Sequence, residues 1–172
     1  MATLILLRGN SGSGKSTVAR ALQQHFGRGT LLIPQDTVRR EMLFARDLPD
    51  GPTAPLMETI ARYGSLHCEV TIVEGILYSE RYASLFRALA GMFDDVHAYY
   101  FDVSFEETLR RHETRPQRTQ FGPEHMRSWW IEHDLTDVFA ETVIPESSSL
   151  EETVAQIIAD VEGHAAHGGK GS

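Results

Sequence analysis

The sequence predicts a single α/β domain whose parallel sheet is covered by helices on both faces, and three observations carry that prediction. Short apolar runs alternate with segments of helical periodicity along the chain. Each run is apolar along its length rather than at every second position, the pattern of a strand buried on both faces. Polar residues suited to chemistry stand at the carboxyl ends of several runs, where ligands bind in open α/β sheets.

The elements follow in order. Thr3–Leu7 is the first strand. A helix starts at Lys15, with Val18, Ala21, Leu22, His25 and Phe26 recurring on one face, and ends near Gly27–Gly29. Leu31–Ile33, Val70–Val73, Val96–Phe101 and Thr142–Ile144 are four further strands, making five in all. Tyr82, Leu85, Phe86 and Leu89 form one helical stripe, and Leu150, Val154, Ile157, Ile158 and Val161 another. Ser104–Glu107 and Ser149–Glu152 have the spacing of capping boxes, in which serine and glutamate satisfy orphan backbone donors. The prolines and glycine of residues 47–55 predict a loop, and residues 164–172 a disordered tail beyond a domain of residues 1–163.

Composition narrows the class. The 172 residues suffice for one domain with a sizeable core. No run approaches the ~18 apolar residues of a membrane span, and Leu4–Leu7 is too short for a signal peptide. One cysteine, Cys68, allows no internal disulfide, so a cytoplasmic setting is expected. A net charge of −8 argues against a broad nucleic-acid-binding face, with only Arg110–Arg118 locally basic. His112, His125 and His133 lack metal-ligand spacing. The oligomeric state is left open.

Between the first strand and the first helix stands Gly9-Asn10-Ser11-Gly12-Ser13-Gly14-Lys15-Ser16-Thr17, the spacing of a phosphate-binding loop. Backbone N–H groups at a helix start suit a polyphosphate, glycines permit close approach, lysine neutralises the β- and γ-phosphates, and the serine hydroxyl holds Mg²⁺. The expected ligands are therefore ATP and Mg²⁺. The chain has 14 arginines and only two lysines, Lys15 and Lys170. With no lysine between them, an Asn-Lys-x-Asp guanine-reading motif is impossible, which excludes a typical GTPase. The chain is also short for a typical AAA+ module.

Three later segments resemble parts of P-loop kinases. "LLIPQDTVRREMLF", residues 31–44, resembles the second segment of the group holding polynucleotide 5′-hydroxyl kinases, zeta-toxin-like kinases and chloramphenicol phosphotransferases. There the aspartate of Asp-x-x-Arg takes the proton of the substrate hydroxyl, which implies Asp36 as general base and Arg39 as an acceptor ligand. Asp36 as a helix N-cap and Arg39 as a surface residue are the competing readings. "VTIVEGIL", residues 70–77, is similar to the third strand of uridine-kinase-like enzymes and implies Glu74 beside the Mg²⁺ shell or the substrate. A strand-end glutamate facing solvent is the alternative. "FEETLRRHETRPQR", residues 105–118, resembles the entry to a kinase lid, here about residues 113–127. It implies Arg111 and Arg115 as charge donors to the transferred phosphoryl group. A solvated helix pairing Arg110 and Arg111 with Glu106 and Glu107 is the alternative.

The resemblance implies a single-domain P-loop kinase fold, strand order 2-3-1-4-5, with a helical lid. The activity it implies is ATP-dependent phosphorylation of a hydroxyl on a small-molecule acceptor: a nucleoside, sugar-nucleotide or antibiotic. A nucleoside monophosphate or polynucleotide kinase is the rival enzyme, and a nucleotide-binding regulator the rival from another class.

Overall fold

A computed structural model of the chain describes residues 1–113, 123–128 and 130–168. Five parallel strands form one sheet: β1 (Thr3–Gly9), β2 (Leu31–Pro34), β3 (Val70–Gly75), β4 (Asp95–Asp102) and β5 (Thr142–Pro145). Their spatial order is β2-β3-β1-β4-β5, as the resemblance implied. β1 lies at the centre, with Ile5 in register with Ile72 on one side and His97 on the other.

All seven residues of β1 are buried, and alternate side chains feed two cores. Leu4 and Leu6 join Met57, Ala61, Leu85, Phe86 and Leu89, contributed by α2 (Thr53–His67) and α3 (Ala83–Ala90). Ile5 and Leu7 join Val18, Leu22, Ile157 and Val161, contributed by α1 (Lys15–Phe26) and α6 (Leu150–Gly168). Two short helices, α4 (Phe105–Glu113) and α5 (Pro123–Ser128), follow β4. Among the described residues no helix is long and apolar enough to cross a membrane.

Several local features differ from the sequence reading. Helix α2 begins at Thr53, inside the segment expected to be loop, and its buried residues are Thr53, Met57, Ala61 and Gly64. That stripe is made of small residues with one methionine, so its periodicity carries little hydrophobic contrast. The segment after β2 is a π-helix, Thr37–Met42. Helix α6 runs to Gly168, so residues 164–168 are helical rather than a disordered tail. Alanines 165 and 166 favour that extension. The Ser149–Glu152 box forms reciprocally, with Glu152 N donating to Ser149 Oγ at 3.1 Å and Ser149 N to the Glu152 carboxylate at 2.9 Å. The Ser104–Glu107 box is half made. Glu107 N donates to Ser104 Oγ, but Ser104 N turns to Glu146, because arginines claim the Glu107 carboxylate.

The sheet also buries a full cation. Arg8, in β1, is 0% exposed. Its Nε donates to Leu77 O at 3.0 Å, and Nη1 meets both oxygens of Glu141 at 2.8 Å. Nη2 donates to Asp134 O at 2.9 Å and to its carboxylate at 3.2 Å. The guanidinium carbon lies 4.9 Å from the Phe86 ring centre and 5.7 Å from that of Tyr100. Arg8 thereby fastens the segment between α5 and β5 to the central strand. Asp134 carries the link onward, accepting from the backbone N–H of Ser79 at 2.9 Å and from its hydroxyl.

Replacing Arg8 by methionine keeps most of the packing volume but strands the buried carboxylate of Glu141. The expected loss is about 3–5 kcal/mol, since breaking one side of a buried pair leaves an uncompensated charge. Urea unfolding checks it; a shift below about 1 kcal/mol, the range of exposed pairs, contradicts the assigned role.

Candidate functional site

The phosphate loop forms the turn between β1 and α1. Gly14 has φ 97°, a left-handed conformation that orients the loop into the helix and that other residues adopt at a cost. A Cβ on Gly9 would lie 2.8 Å from Phe101 O, so the loop passes too close to β4 for any side chain there. Lys15 is 6% exposed, and its Nζ donates to Asn10 O at 3.0 Å. The lysine is thus enclosed by the loop, not set out in solvent. Ser13 is buried, and its Oγ has no hydrogen-bond partner among the described residues. Left-handed glycines, an enclosed lysine and an orphaned hydroxyl fit a polyphosphate cradle.

Glu74 closes the site from β3. It is 6% exposed, and Ser16 Oγ donates to both of its carboxylate oxygens at 3.1 Å. The solvent-facing alternative for Glu74 is therefore excluded. Burial pushes its carboxyl above the ordinary value of 4.5, against the pull of Lys15 and the Ser16 bond. A hydroxyl and a buried carboxylate, both hard oxygen donors, suit Mg²⁺.

A cleft of about 1080 Å³ opens beside the loop. Ser11 and Gly12 of the phosphate loop line it together with Asp36, Arg39, Tyr78 and Ile131. Asp36 has φ −63° and ψ −40° and makes no capping bond. Its backbone is already helical, whereas an N-cap residue is not, so the capping alternative is not realised. Its carboxylate instead meets Arg39 Nη2 at 2.8 Å and Arg40 Nε at 3.3 Å, and is 62% exposed. Arg39 is more enclosed than a surface residue, at 18% exposed, and its buried Nε has no hydrogen-bond partner among the described residues.

One wall of the cleft is fastened by Asp47. Arg81 Nη1 donates to its carboxylate at 2.7 Å and to its backbone carbonyl at 2.8 Å. Tyr82 donates its phenol to the same carboxylate at 2.7 Å and accepts from Gln35 Nε2 at 2.8 Å. Asp47 and Arg81 were not singled out from sequence, and Tyr82 was read only as part of an apolar helical stripe. They sit in a loop and a helix entry with no motif spacing, and only the fold brings them together.

On α4, Arg111 makes the ion pair of the solvated-helix alternative and also reaches the phosphate loop. Its Nε pairs with Glu107 at 2.7 Å, as in the solvated-helix alternative. Its Nη1 also donates to Ser13 O in the phosphate loop at 3.0 Å, and Nη2 to Glu146 O at 3.1 Å. Arg110 and Arg111 together hold the Glu107 carboxyl down to about 2. A smaller cavity of about 280 Å³ lies here, lined by Thr17, Val18, Phe101, Arg111, Ile144 and Pro145. Sequence reasoning missed it, because its walls come from five separate elements, α1, β4, α4, β5 and α6. Arg115 and most of the expected lid, 114–122, lie outside the described residues.

Comparison with known proteins supplies a frame for this geometry. A family model described as an AAA domain matches residues 4–129. Brevity is no obstacle to that family, although it had weighed against a typical AAA+ module. No curated protein matches the sequence. Among solved structures, the tunicamycin resistance protein of Deinococcus radiodurans is 20% identical, with 94% of this chain and 96% of that one covered and a TM-score of 0.67. The gluconokinase of Sinorhizobium meliloti is 18% identical, with 96% and 94% covered and a TM-score of 0.66. The APS kinase of Mycobacterium tuberculosis, in complex with AMPPNP and APS, is 18% identical, with 94% and 98% covered and a TM-score of 0.65. At these identities the likeness is one of fold, and the fold is that of P-loop kinases.

Glu74 generates a prediction with a definite sign. Its carboxyl titrates above 4.5 in the folded chain, so the folded state binds its proton more tightly than the unfolded state. That preference stabilises the fold at low pH and is lost as pH rises through the folded value. Glu74→Gln is therefore expected to melt higher than the parent at pH 8, with the gap narrowing as pH falls to about 4.5. Melting curves without Mg²⁺ check this, and a gap that widens on acidification refutes it.

Proposed function

The chain belongs to the AAA domain family of P-loop NTPases, and from that premise we propose that it is an ATP-dependent kinase acting on a hydroxyl of a small molecule. The observation that carries this reading is the cleft that Ser11 and Gly12 of the phosphate loop line together with Asp36 and Arg39. A carboxylate in one cleft with a phosphate cradle is what an alcohol acceptor needs and a phosphate acceptor does not.

In this reading the backbone of residues 11–16 and Lys15 bind the β- and γ-phosphates of ATP. Ser16 and Glu74 would hold Mg²⁺, which supplies charge neutralisation of the donor phosphates when bound. The apolar walls of the smaller cavity and the guanidinium of Arg111 would take the adenine, beside Thr17 and Val18. The acceptor lies against Tyr78 and Ile131, its hydroxyl directed at Asp36. As the hydroxyl oxygen bonds to the γ-phosphorus, its proton passes to Asp36 and ADP departs with the electrons of the broken P–O bond. Arg39 steadies Asp36 or an acceptor group, and Arg115 adds charge to the transferred group. The cleft has room for an acceptor of nucleoside, sugar-nucleotide or antibiotic size.

In this reading catalysis is mainly positioning. Asp36 is already held by two guanidinium groups, so little reorganisation remains when the acceptor arrives.

Two substitutions test the reading in parallel with screening of acceptors against γ-labelled ATP. Asp36→Asn is expected to retain ATP affinity while transfer falls by about 10²–10⁴-fold, the range for loss of an acid–base group. Transfer at the parental rate by the folded variant would remove the general base and favour a phosphate nucleophile, hence a nucleotide kinase. Lys15→Ala is expected to lose both tight ATP binding and transfer. Because Lys15 is buried, its melting temperature is measured as well, and full turnover would end the phosphate-loop assignment.

A further inference from the structure

The phosphate loop makes a contact that its motif does not demand. The pattern fixes Gly9, Gly14, Lys15 and Ser16 and leaves positions 10–13 free. Yet Asn10 is 7% exposed and fully engaged. Its Nδ2 donates to Ile131 O at 2.7 Å, and its Oδ1 accepts from Ile131 N at 3.3 Å. Both bonds go to one residue, so the side chain pairs with Ile131 much as an adjoining strand would. Asparagine carries a donor and an acceptor side by side at this reach. Ionised aspartate has no donor, and serine has one oxygen for both tasks.

The same residue serves the other side of the loop, since its backbone carbonyl accepts from Lys15 Nζ at 3.0 Å. Ile131 in turn lines the large cleft. Three residues on, Asp134 is gripped by Arg8 and holds Ser79, another lining residue. The segment from Ile131 to Asp134 is thus fixed to the end of β1 at both ends. The tie at the Ile131 end is Asn10.

We propose that Asn10 is a positioning residue that sets the spacing between the phosphate loop and the Ile131 wall of the cleft, so that an acceptor meets the donor phosphates in register. The catalytic half of this proposal rests on the kinase reading above; the clasp itself is a property of the free chain. It assigns the Asn10 side chain to the acceptor side, where the sequence had grouped it with the nucleotide ligands.

The test uses the full-length chain and two variants, Asn10→Ala and Asn10→Asp. Amide hydrogen exchange is followed at Ile131, with Leu6 and Ile72 of the core as internal references. In Asn10→Ala the Ile131 amide loses its acceptor, and exchange there is expected to quicken by on the order of tenfold or more. Asn10→Asp keeps an acceptor for the amide but sets a carboxylate against Ile131 O, so exchange is expected to quicken there too. The references stay at the parental rate. Affinity for a non-hydrolysable ATP analogue with Mg²⁺ stays near the parental value in Asn10→Ala, because the loop backbone and Lys15 are intact. In Asn10→Asp a carboxylate beside the polyphosphate lowers it, so affinity and KM are compared on Asn10→Ala alone. With an acceptor from the screen, its KM rises on the order of tenfold, while the KM for ATP moves little.

Parental exchange at Ile131 in both variants overturns the clasp. Equal losses of analogue affinity and acceptor use overturn the positioning role and return Asn10 to the nucleotide site. The exchange arm needs no nucleotide. A parental chain that fails to bind the analogue therefore refutes the kinase reading, and the clasp is still decided at Ile131.

Discussion

A buried guanidinium in the central strand is the constraint around which the active face of this molecule is arranged. Strand β1 is the sheet's middle, and position 8 is its last residue but one before the phosphate loop. Arginine there demands partners, because an unpaired charge in the interior costs several kcal/mol. The partners it finds, Glu141, Asp134 and the carbonyl of Leu77, belong to two separate chain segments. Each segment then lines or supports the cleft. The need to satisfy one cation thus fixes loops that share no regular secondary structure with the sheet. Arginine suits this better than lysine, since its planar fork can serve several acceptors at once while its face lies against Phe86 and Tyr100.

The site carries a second electrostatic tension, between stability and binding. Glu74 is desolvated next to a hydroxyl and a buried lysine. An apolar or amide side chain would sit there more comfortably. Its retention has a physical rationale in the hard-oxygen environment it creates beside Ser16, where a dication would relieve the penalty. Lys15 contributes from the same enclosure, so the two charges are best regarded as one unit. Removing either alters the cost of burying the other.

The fold was legible because its signals are redundant. Apolar strands, a glycine-rich turn and amphipathic stripes each point to the same layered sheet, and an error in one does not spread. Lys15, Ser16 and Glu74 were legible because motif spacing and strand ends locate them without any knowledge of packing. Helix α2 was not, since its buried face is Thr53, Met57, Ala61 and Gly64, small residues that bury close to a sheet without a hydrophobic signature. Asp36 was readable as a residue type, and only its helical backbone and unused cap set the capping reading aside. Arg8 stands just past the run read as the first strand, and Asp47 in the segment read as a loop. Their partners lie from 34 to 133 residues away in sequence, a range over which periodicity carries no information.

The fastening of Asp47 bears on how such a scaffold changes what it recognises. The loop bearing it is joined to the end of β2 through Tyr82 and Gln35, and to the entry of α3 through Arg81. A wall held this way does not drift by single substitutions, because each change breaks a bond shared with a distant segment. The shape of this wall therefore depends on several chain segments at once. Residues 45–50 and 78–82, with Gln35, form one exchangeable cassette, and transplanting the loop without its anchors would yield a cleft with the right lining and the wrong shape.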